Sequence, residues 1–361
     1  MSAGDEQARA LARIEAFRDR VPRFDDAVVT LAHGAGGKAT AALVEDVFVS
    51  RLGRGPEGDP LADAAVLDPS GDERLAFTTD AFVVTPRRFP GGSVGHLAVH
   101  GTVNDLAMVG ARPEALSLAV VLEEGFAVAE LRDLVDDIAA AADVAGVRVV
   151  TGDTKVVGRG AVDGVCLVTA GIGRIPAGRD LAARHVRPGD RLLVSGTLGD
   201  HGMAVMLARG ELALEADISS DTAPLAPLVE ELLRAAPGLR WLRDATRGGV
   251  ATVVNELADA AGVAVVLDEV ALPVRPAVAG ACDLLGIDPL YVANEGKLLA
   301  VVPADEAEAA LHTARTHPLG ADAALIGEVR ESPAGVVALA TSFGSTRIVD
   351  VLVGDPLPRI C

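Results

Sequence analysis

The sequence predicts a two-domain protein of the α+β or α/β class. Its 361 residues correspond to roughly two domains, at about 150 residues per domain. Hydrophobic residues make up 50% of the chain and charged residues 23%, which is typical of a globular protein. Apolar runs that read as strands alternate with stretches of helical periodicity, and this alternation favours layers of helices and sheets.

The first half of the chain predicts a leader followed by an N-terminal domain. Residues 1–27 carry apolar side chains at helical spacing among many charges, so we expect a leader helix, whose role the sequence leaves open. The domain is expected over residues 28–178, with one helix over Val128–Ala145. Its other apolar stretches are RLAFTTDAFVV, GGSVGHLAVHGTVNDLAMVGA, ALSLAVVLEE, VRVVTGDTKVV and GVCLVTAGIG.

The second half predicts a C-terminal domain over residues 179–351. Its boundary is expected where IPAGRDLAARHVRPGD brings Pro, Gly and charged residues together. Helices are expected around Leu225–Ala235 and over 305–315. Strands are expected at RLLVSGTLGD, VAVVLDEV, GKLLAVVP, ALIGEV, GVVALA and TRIVDVLV.

The last ten residues, 352–361, predict an extended tail. Pro356 and Pro358 fix φ and disfavour helix in the residues before them. At about 3.1 Å per residue, the segment from Asp355 to Cys361 reaches roughly 20 Å. A thiol at the end of such an arm can visit a site elsewhere on the molecule.

Charge and composition exclude several classes of function. The net charge of −19 would repel a polyanion, so nucleic acid is not expected as a partner. No run approaches 18 apolar residues and no secretory signal is present at the N-terminus, so no membrane association is expected. Three cysteines are too few for a disulfide framework, and together these features predict a cytoplasmic protein.

Lysine is used in only three places. Of the 32 basic residues 29 are Arg, and Lys38, Lys155 and Lys297 each stand in a glycine-containing string, GAGGKAT, TGDTKVVGRG and ANEGKLLA. Lysine is a compact charge whose pKa responds to burial, which suits phosphate contact or proton transfer. Chance survival of these lysines in glycine-rich loops is the alternative.

Four acidic motifs are expected at the ends of strands or in glycine-rich turns. They are LADAAVL with Asp63, FTTDAFV with Asp80, TVNDLAM with Asn104 and Asp105, and VTGDTKVV with Asp153 and Thr154. Carboxylates that converge in this way suit Mg²⁺, which prefers oxygen ligands and bridges to phosphates. Taken singly, each Asp is more often a turn residue or a helix cap than a metal ligand.

Two glycine-rich strings can bind an anion. GAGGKAT is not a Walker A loop, because the spacing is short and Ala39 stands where Ser or Thr would bind Mg²⁺, but its backbone N–H groups can still approach a phosphate. In RDATRGGVATVVNELA, Gly248 and Gly249 begin a helix beside Arg247, which predicts a second anion site. A plain turn into a core helix is the alternative there.

From about Val28 to Cys361 the chain resembles the HypE family of hydrogenase maturation proteins, which are carbamoyl dehydratases. The leader lies outside the resemblance. The motifs that carry it are GAGGKAT, FTTDAFVV, GTVNDLAMVGA, VTGDTKVV, VSGTLGDHG, RDATRGGV, NEGKL, HPLGADAALIGEV and the terminal PRIC.

The resemblance implies a fold similar to aminoimidazole ribonucleotide synthetase. This fold has an N-terminal mixed-sheet domain and a C-terminal α/β domain, and the N-terminal domains pair sheet to sheet in a homodimer. Apolar segments such as ALSLAVVLEE would be buried on the pairing surface.

The resemblance also implies an activity. Proteins of this family receive a carbamoyl group on a C-terminal cysteine from the carbamoyltransferase HypF and use ATP to dehydrate the S-carboxamide to a thiocyanate. The cyano group then passes to iron on the HypC and HypD scaffold for [NiFe]-hydrogenase assembly. ATP and Mg²⁺ are the expected cofactors.

Particular residues receive roles on this basis. The expected catalytic residues are Cys361 as carrier thiol, Glu295 as general base, and Lys155 polarising the carboxamide or phosphate oxygen. The expected nucleotide-binding residues are Gly36, Gly37, Lys38, Asp80, Asn104, Asp105, Thr154, Asp244 and Arg247. The expected metal ligands are Asp63, Asp80, Asp105 and Asp153.

Two other functions stay open at this point. One is another ATP-dependent synthetase or small-molecule kinase of the same superfamily. The other is a non-catalytic carrier that binds nucleotide as a switch and presents Cys361 to partners.

Overall fold

A computed structural model of the chain describes residues 30, 37–49, 64–67, 73–210 and 216–352. The expected leader helix, 1–27, lies outside these ranges, as does the expected tail, 352–361, apart from Leu352. The first described helix is α1 (Lys38–Leu43), which continues as a π-helical turn, Val44–Val49.

The N-terminal part is built on a mixed sheet. Its strands are β1 (Ala65–Leu67), β2 (Arg74–Phe82), β3 (Arg88–Phe89), β4 (Gly92–Ser93), β5 (Arg112–Glu123), β6 (Arg148–Val157) and β7 (Val165–Ile175). Within the described residues the main sheet has the order β1-β2-β7-β5-β6, and β3 pairs with β4 separately. Strands β5 and β6 run parallel and the other neighbours in the main sheet antiparallel.

Two helices cover one face of this sheet, α2 (Val94–Met108) and α3 (Val128–Ala145). The helix predicted over Val128–Ala145 is confirmed with the same bounds. Its end is set by Gly146, whose φ of 69° lets its N–H bond to the carbonyl of Ala142. Leu134 and Ile138 pack in one apolar cluster with residues of α2, β5 and β7.

The opposite face of the sheet is open. Residues alternate between the two faces of a strand, and β7 shows this alternation in its burial. Phe77 and Ile172 stand opposite each other on the open face and are 43% and 42% exposed. Leu67 on β1 is 41% exposed on the same face. These exposed apolar side chains lie on one face of the sheet and form an apolar patch, in contrast to apolar residues scattered singly over a surface.

The C-terminal part is built on a second mixed sheet. Its strands are β8 (Arg191–Val194), β9 (Trp241–Asp244), β10 (Ala264–Asp268), β11 (Leu298–Val302), β12 (Ala324–Arg330), β13 (Val337–Ala340) and β14 (Thr346–Ile348). Their order is β14-β13-β10-β12-β8-β11-β9. Among these described strands, β10 and β13 are the parallel pair and the other neighbours are antiparallel.

Helices cover both faces of the second sheet. They are α5 (Ala226–Ala235), α6 (Gly249–Ala261) and α8 (Ala307–Thr316). Two further helices, α4 (Asp200–Ala208) and α7 (Pro276–Leu285), belong instead to the apolar cluster that contains α2 and α3. All five residues of β11 are buried, because alternate side chains pack against α6 on one face and against α5 and α8 on the other. The helices predicted around Leu225–Ala235 and over 305–315 are confirmed as α5 and α8.

Helix α2 joins the two parts. It is buried along almost its whole length, and Ala107 and Met108 belong to the apolar cluster of the second sheet. The expected boundary at residues 178–179 lies between β7 and β8. In the part of the chain that the structure describes, no helix is both long and apolar enough to cross a membrane.

Candidate active site in the interdomain cleft

A cleft of about 290 Å³ lies between the two domains. Strand β2 and helix α2 contribute from one side, and the end of β9 and the start of α6 from the other. The lining residues include five carboxyl groups and two guanidinium groups. They are Thr40, Thr78, Thr79, Asp80, Ala81, Phe82, Gly101, Asp105, Arg243, Asp244, Thr246, Arg247, Thr252, Val253, Glu256 and Glu295.

The N-terminal wall carries Asp80 and Asp105. Asp80 lies on the face of β2 that packs against α2, since Thr78 and Phe82 alternate onto the same face and are buried. On α2, Asp105 accepts a hydrogen bond from Thr78 Oγ1 at 2.8 Å. Gly101 allows the close approach of helix and strand, because a Cβ there would lie 2.9 Å from the Phe82 ring. The two carboxyl groups therefore line the cleft from adjacent elements.

The C-terminal wall combines Asp244 with a helix N-terminus. Asp244 is the last residue of β9, and α6 begins five residues later after a turn through Arg247 and Gly248. Gly249 has a φ of 60°, and a Cβ there would lie 2.5 Å from the carbonyl oxygen of Leu290. The start of this 13-residue helix carries partial positive charge, which suits an anion.

Burial changes the proton affinity of the two aspartates that face each other across the cleft. Burial raises the pKa of Asp244 to about 6, and the nearby charge of Asp80 acts in the same direction. The guanidinium groups of Arg243 and Arg247 oppose this shift. The pKa of Asp80 is also raised, chiefly by burial, and Arg247 lowers it.

Glu295 is a buried carboxyl group of the cleft. Its exposure is 3%, and burial raises its pKa well above the ordinary value. The charges of Asp244, Asp221 and Asp80 raise it further, and Arg247 opposes them. Burial and these neighbouring charges therefore favour the protonated form of Glu295. Strongly perturbed carboxyl groups in a cleft are typical of functional sites.

The described carboxylates supply only part of the ligand set of a cation. No group of three His, Cys, Asp or Glu side chains suited to a metal ion occurs within residues 37–49, 64–67, 73–210 and 216–352. Asp80 and Asp105 supply two oxygen donors, and Asp63 lies outside the described residues. Mg²⁺ is commonly held by one or two carboxylates together with substrate phosphates, so this pair fits Mg²⁺ when a nucleotide is present.

Lys38 contacts the start of the tail. Its Nζ donates to Asp350 Oδ2 at 2.8 Å, and its backbone N–H donates to the carbonyl of Leu352 at 3.1 Å. Gly37 precedes α1 as its N-cap, while Thr40, on the same helix, lines the cleft. Helix α1 thus lies between the cleft and the last described residues of the chain.

Strand β6 does not bring its polar residues to the cleft of its own chain. Asp153 stands level with Ala81 across two intervening strands, so about 14 Å separate them at about 4.8 Å per strand. Paired residues share a face, which puts Asp153 and Lys155 on the open face of the sheet, opposite to Asp80. Thr154 is exposed on this edge strand as well.

The expectation that the acidic motifs stand at strand ends or in turns is wrong for the described residues. Asp80 and Asp153 lie inside long strands and Asp105 lies inside a helix. Successive side chains of a strand point to opposite faces of the sheet, so the position of a carboxylate along its strand decides which face it points to. Two carboxylates in similar motifs therefore need not lie on the same face.

Asn104 holds the backbone together beside the cleft. Its Nδ2 donates to the carbonyls of Ala223 at 3.0 Å and Glu295 at 3.2 Å, and its Oδ1 accepts from the N–H of Leu225 at 2.7 Å. It does not line the cleft. Gly36 and Cys361 lie outside the described residues.

Sequence reasoning did not single out several residues of the lining. Arg243 and Glu256 form an ion pair at 3.3 Å, and Thr78, Thr246 and Thr252 supply hydroxyls. The signal for Thr78 was its place two residues before Asp80, on the same strand face. Arg243 is the first residue of RDATRGGV and Glu256 lies after that motif, and neither position carries a local signal of its own.

The fold and the cleft define a protein of the AIR synthase related kind. The family of AIR synthase related proteins matches residues 61–175 through its N-terminal domain and residues 187–340 through its C-terminal domain. This confirms the predicted two-domain fold.

The relatives identify the family more narrowly. A carbamoyl dehydratase HypE of Rhodobacter capsulatus is 55% identical over 338 residues, covering 93% of this chain and 99% of the relative. A solved HypE–HypF complex contains a chain 45% identical with a TM-score of 0.80, covering 86% of this chain and 100% of that one. A HypE structure in complex with ATP is 44% identical with a TM-score of 0.77, covering 92% and 100%.

The chain therefore belongs to the HypE family of carbamoyl dehydratases. The resemblance seen in the sequence motifs is confirmed, as is the expectation of an enzyme.

Proposed function

We propose that this protein uses ATP to dehydrate an S-carboxamide carried on Cys361 to a thiocyanate, for hydrogenase maturation. The observation that carries the proposal is the cleft, in which Asp80 and Asp105 of the N-terminal domain face Asp244, Arg247 and Glu295 of the C-terminal domain. The ATP complex of a relative and the carbamoyl dehydratase name of others support it.

The chemistry balances in two steps. The carboxamide oxygen attacks the γ-phosphorus of ATP, the bond to ADP breaks, and the nitrogen loses one proton to give an O-phosphorylated imidate. The second N–H proton then leaves, the C–O bond breaks, and inorganic phosphate departs as the C≡N triple bond forms. ATP is needed because an amide oxygen is a poor leaving group until it is a phosphate ester.

The acidic lining of the cleft favours the binding of ATP together with Mg²⁺. The carboxyl groups of Asp80 and Asp105 would hold the ion, which when bound neutralises phosphate charge and aligns the transferring group. Arg247 and the N-terminus of α6 would bind and orient the phosphates. Without added positive charge, the carboxylates that line the cleft would repel a nucleoside triphosphate.

Glu295 is proposed to accept the proton that leaves nitrogen. Burial raises its pKa, and the charges of Asp244 and Asp221 add to this effect. Positive charge brought into the cleft offsets these neighbours and lets Glu295 ionise. A general base whose pKa lies near the working pH is well matched to proton transfer.

A homodimer is proposed through the open face of the N-terminal sheet. The exposed Phe77, Ile172 and Leu67 on that face support it, since burying them would remove apolar surface from water. Pairing through this face would put Lys155 and Asp153 at the contact with the second copy. There they could act on the other copy's cleft rather than on their own.

The remaining partners follow from the family. HypF as carbamoyl donor is supported by the solved HypE–HypF complex of a relative. Acceptance of the cyano group by HypC and HypD, and a cytoplasmic location, stay predictions. The carbamoyl dehydratase relatives argue against another synthetase or small-molecule kinase of the superfamily as the function of this protein. A non-catalytic carrier would not need carboxyl groups with raised pKa values in the cleft.

The test is the mass of the C-terminal peptide. The protein is incubated with a carbamoyl donor system, with and without MgATP, beside a Cys361→Ala control. We expect a gain of one carbamoyl group on Cys361 and then, only with ATP, the loss of one water. ATP turnover on a small molecule with Cys361 unmodified would contradict the proposal.

A further inference from the structure

Asp221 lies outside the cleft but holds the backbone of Glu295. Its Oδ1 accepts a hydrogen bond from the backbone N–H of Glu295 at 3.1 Å. Its Oδ2 accepts one from Lys297 Nζ, also at 3.1 Å. The two side chains are nearly buried, with 5% of Asp221 and 11% of Lys297 exposed. One carboxylate thus joins two residues of the NEGK loop.

The loop is packed tightly against this segment of chain. A Cβ at position 296 would lie 1.8 Å from the carbonyl oxygen of Asp221, so Gly296 admits no side chain without movement. Asn104 of the N-terminal domain donates to the Glu295 carbonyl at 3.2 Å. The N–H and the C=O of Glu295 are therefore each held by a side chain from another segment.

We infer that Asp221 is a positioning residue for Glu295, and that Lys297 is the counter-ion that holds Asp221 in place rather than a ligand of the nucleotide phosphates. The inference rests on the proposed function for the role of Glu295 as a base. It gives Lys297, the lysine of the NEGK motif, a structural role in the same site.

The geometry of Lys297 supports this assignment. Lys297 does not line the cleft, and its Nζ reaches Asp221 and, at 3.4 Å, the carbonyl of Gly296. Its aliphatic stem runs beside Gly196, where a Cβ would lie 2.8 Å from Lys297 Cε. A phosphate contact would require Lys297 to leave a nearly buried ion pair, which is costly because Asp221 would stay behind unpaired.

The arrangement requires a carboxylate at position 221. The Glu295 N–H and the Lys297 ammonium are bound by two separate oxygens of Asp221. An asparagine places an NH₂ group where one of these oxygens stands, so in the wild-type geometry Asp221→Asn loses one of the two hydrogen bonds. If Lys297 is also replaced by Gln, the Asn oxygen can accept from the Glu295 N–H while its amide donates to the Gln oxygen.

The experiment compares three variants of the full-length protein with the wild type. They are Asp221→Asn, the double variant Asp221→Asn/Lys297→Gln, and Asp217→Asn, which makes the same change at an exposed position of the same segment. Three quantities are measured: ATP affinity, the single-turnover rate of water loss from carbamoylated protein at saturating ATP, and amide exchange in the peptide containing Glu295.

We expect Asp221→Asn to slow water loss at least about tenfold, because small misplacements of a catalytic group are costly, while ATP affinity changes by less than about threefold. Amide exchange at Glu295 should become faster. The double variant should recover most of the rate and the protection, and Asp217→Asn should behave as wild type. The nearly unchanged ATP affinity of Asp221→Asn would separate this result from a general loss of folding.

Several results would overturn the inference. They are a wild-type rate in Asp221→Asn, a double variant no faster than Asp221→Asn, or a loss of ATP affinity in the double variant that Asp221→Asn does not show. If the wild type loses no water at all, the proposed function fails, and amide exchange alone decides. Faster exchange in Asp221→Asn that the double variant reverses supports the inference, and unchanged exchange overturns it.

Discussion

Replacing Asp244 by asparagine should stabilise the protein at neutral and alkaline pH. Burial raises the pKa of Asp244 from 3.8 to about 6. At 1.36 kcal/mol per pKa unit, ionised Asp244 therefore destabilises the folded state by about 3 kcal/mol. Asparagine has the same shape and no charge to desolvate. The gain should be complete above about pH 6 and should shrink as the pH falls toward 3.8, where the wild-type group is protonated in both states.

The assay is the free energy of unfolding by urea, measured for Asp244→Asn and wild type at about pH 8 and pH 5. Asp217→Asn, at an exposed position, is the matched control and should change stability by less than about 0.5 kcal/mol. Dehydration activity should fall in Asp244→Asn although stability rises, as expected of a group retained for function. A variant less stable than wild type at pH 8, or an equal gain at both pH values, would refute the reasoning.

Three further predictions follow. The rate of water loss should rise with pH as Glu295 loses its proton, and Glu295→Gln should slow it about 10²–10⁴-fold and abolish that rise; an unchanged pH profile counts against Glu295 as the base. Gly249→Ala, whose Cβ would lie 2.5 Å from the Leu290 oxygen, should weaken ATP binding in calorimetry, whereas Gly262→Ala, at a similar φ with open space around it, should not. Ile172→Asp should shift the sedimentation coefficient from dimer to monomer, whereas Ile348→Asp, 50% exposed on β14, should leave the dimer intact.

Local patterns in the sequence predicted the helices and strands but not all of the contacts between them. The helix over Val128–Ala145 is encoded by its own periodicity and the glycine after it, so its bounds follow from a short window. Asp80 and Asp244 meet only because β2 and β9 belong to domains that pack together through α2. Such a contact depends on long-range packing, which the spacing of residues within one motif does not encode.

Strand alternation explains the main difference between the expected site and the structure. Asp80 and Asp153 stand in similar motifs, yet they face opposite sides of one sheet. A shift of one residue reverses the face, and the motif alone does not fix which residue of a strand points inward. Two of the three lysines illustrate a similar limit. Lys38 and Lys297 are in ion pairs with Asp350 and Asp221, partners that are far away in the sequence.

The most direct test of the central claim follows the carboxamide oxygen. Protein carrying an ¹⁸O-labelled S-carboxamide on Cys361 is given MgATP for a single turnover, and the inorganic phosphate and the water are analysed by mass spectrometry. If ATP activates the carboxamide by phosphorylating its oxygen, the label must appear in inorganic phosphate as the thiocyanate forms. Label released into water, or thiocyanate formed without ATP, would contradict the account.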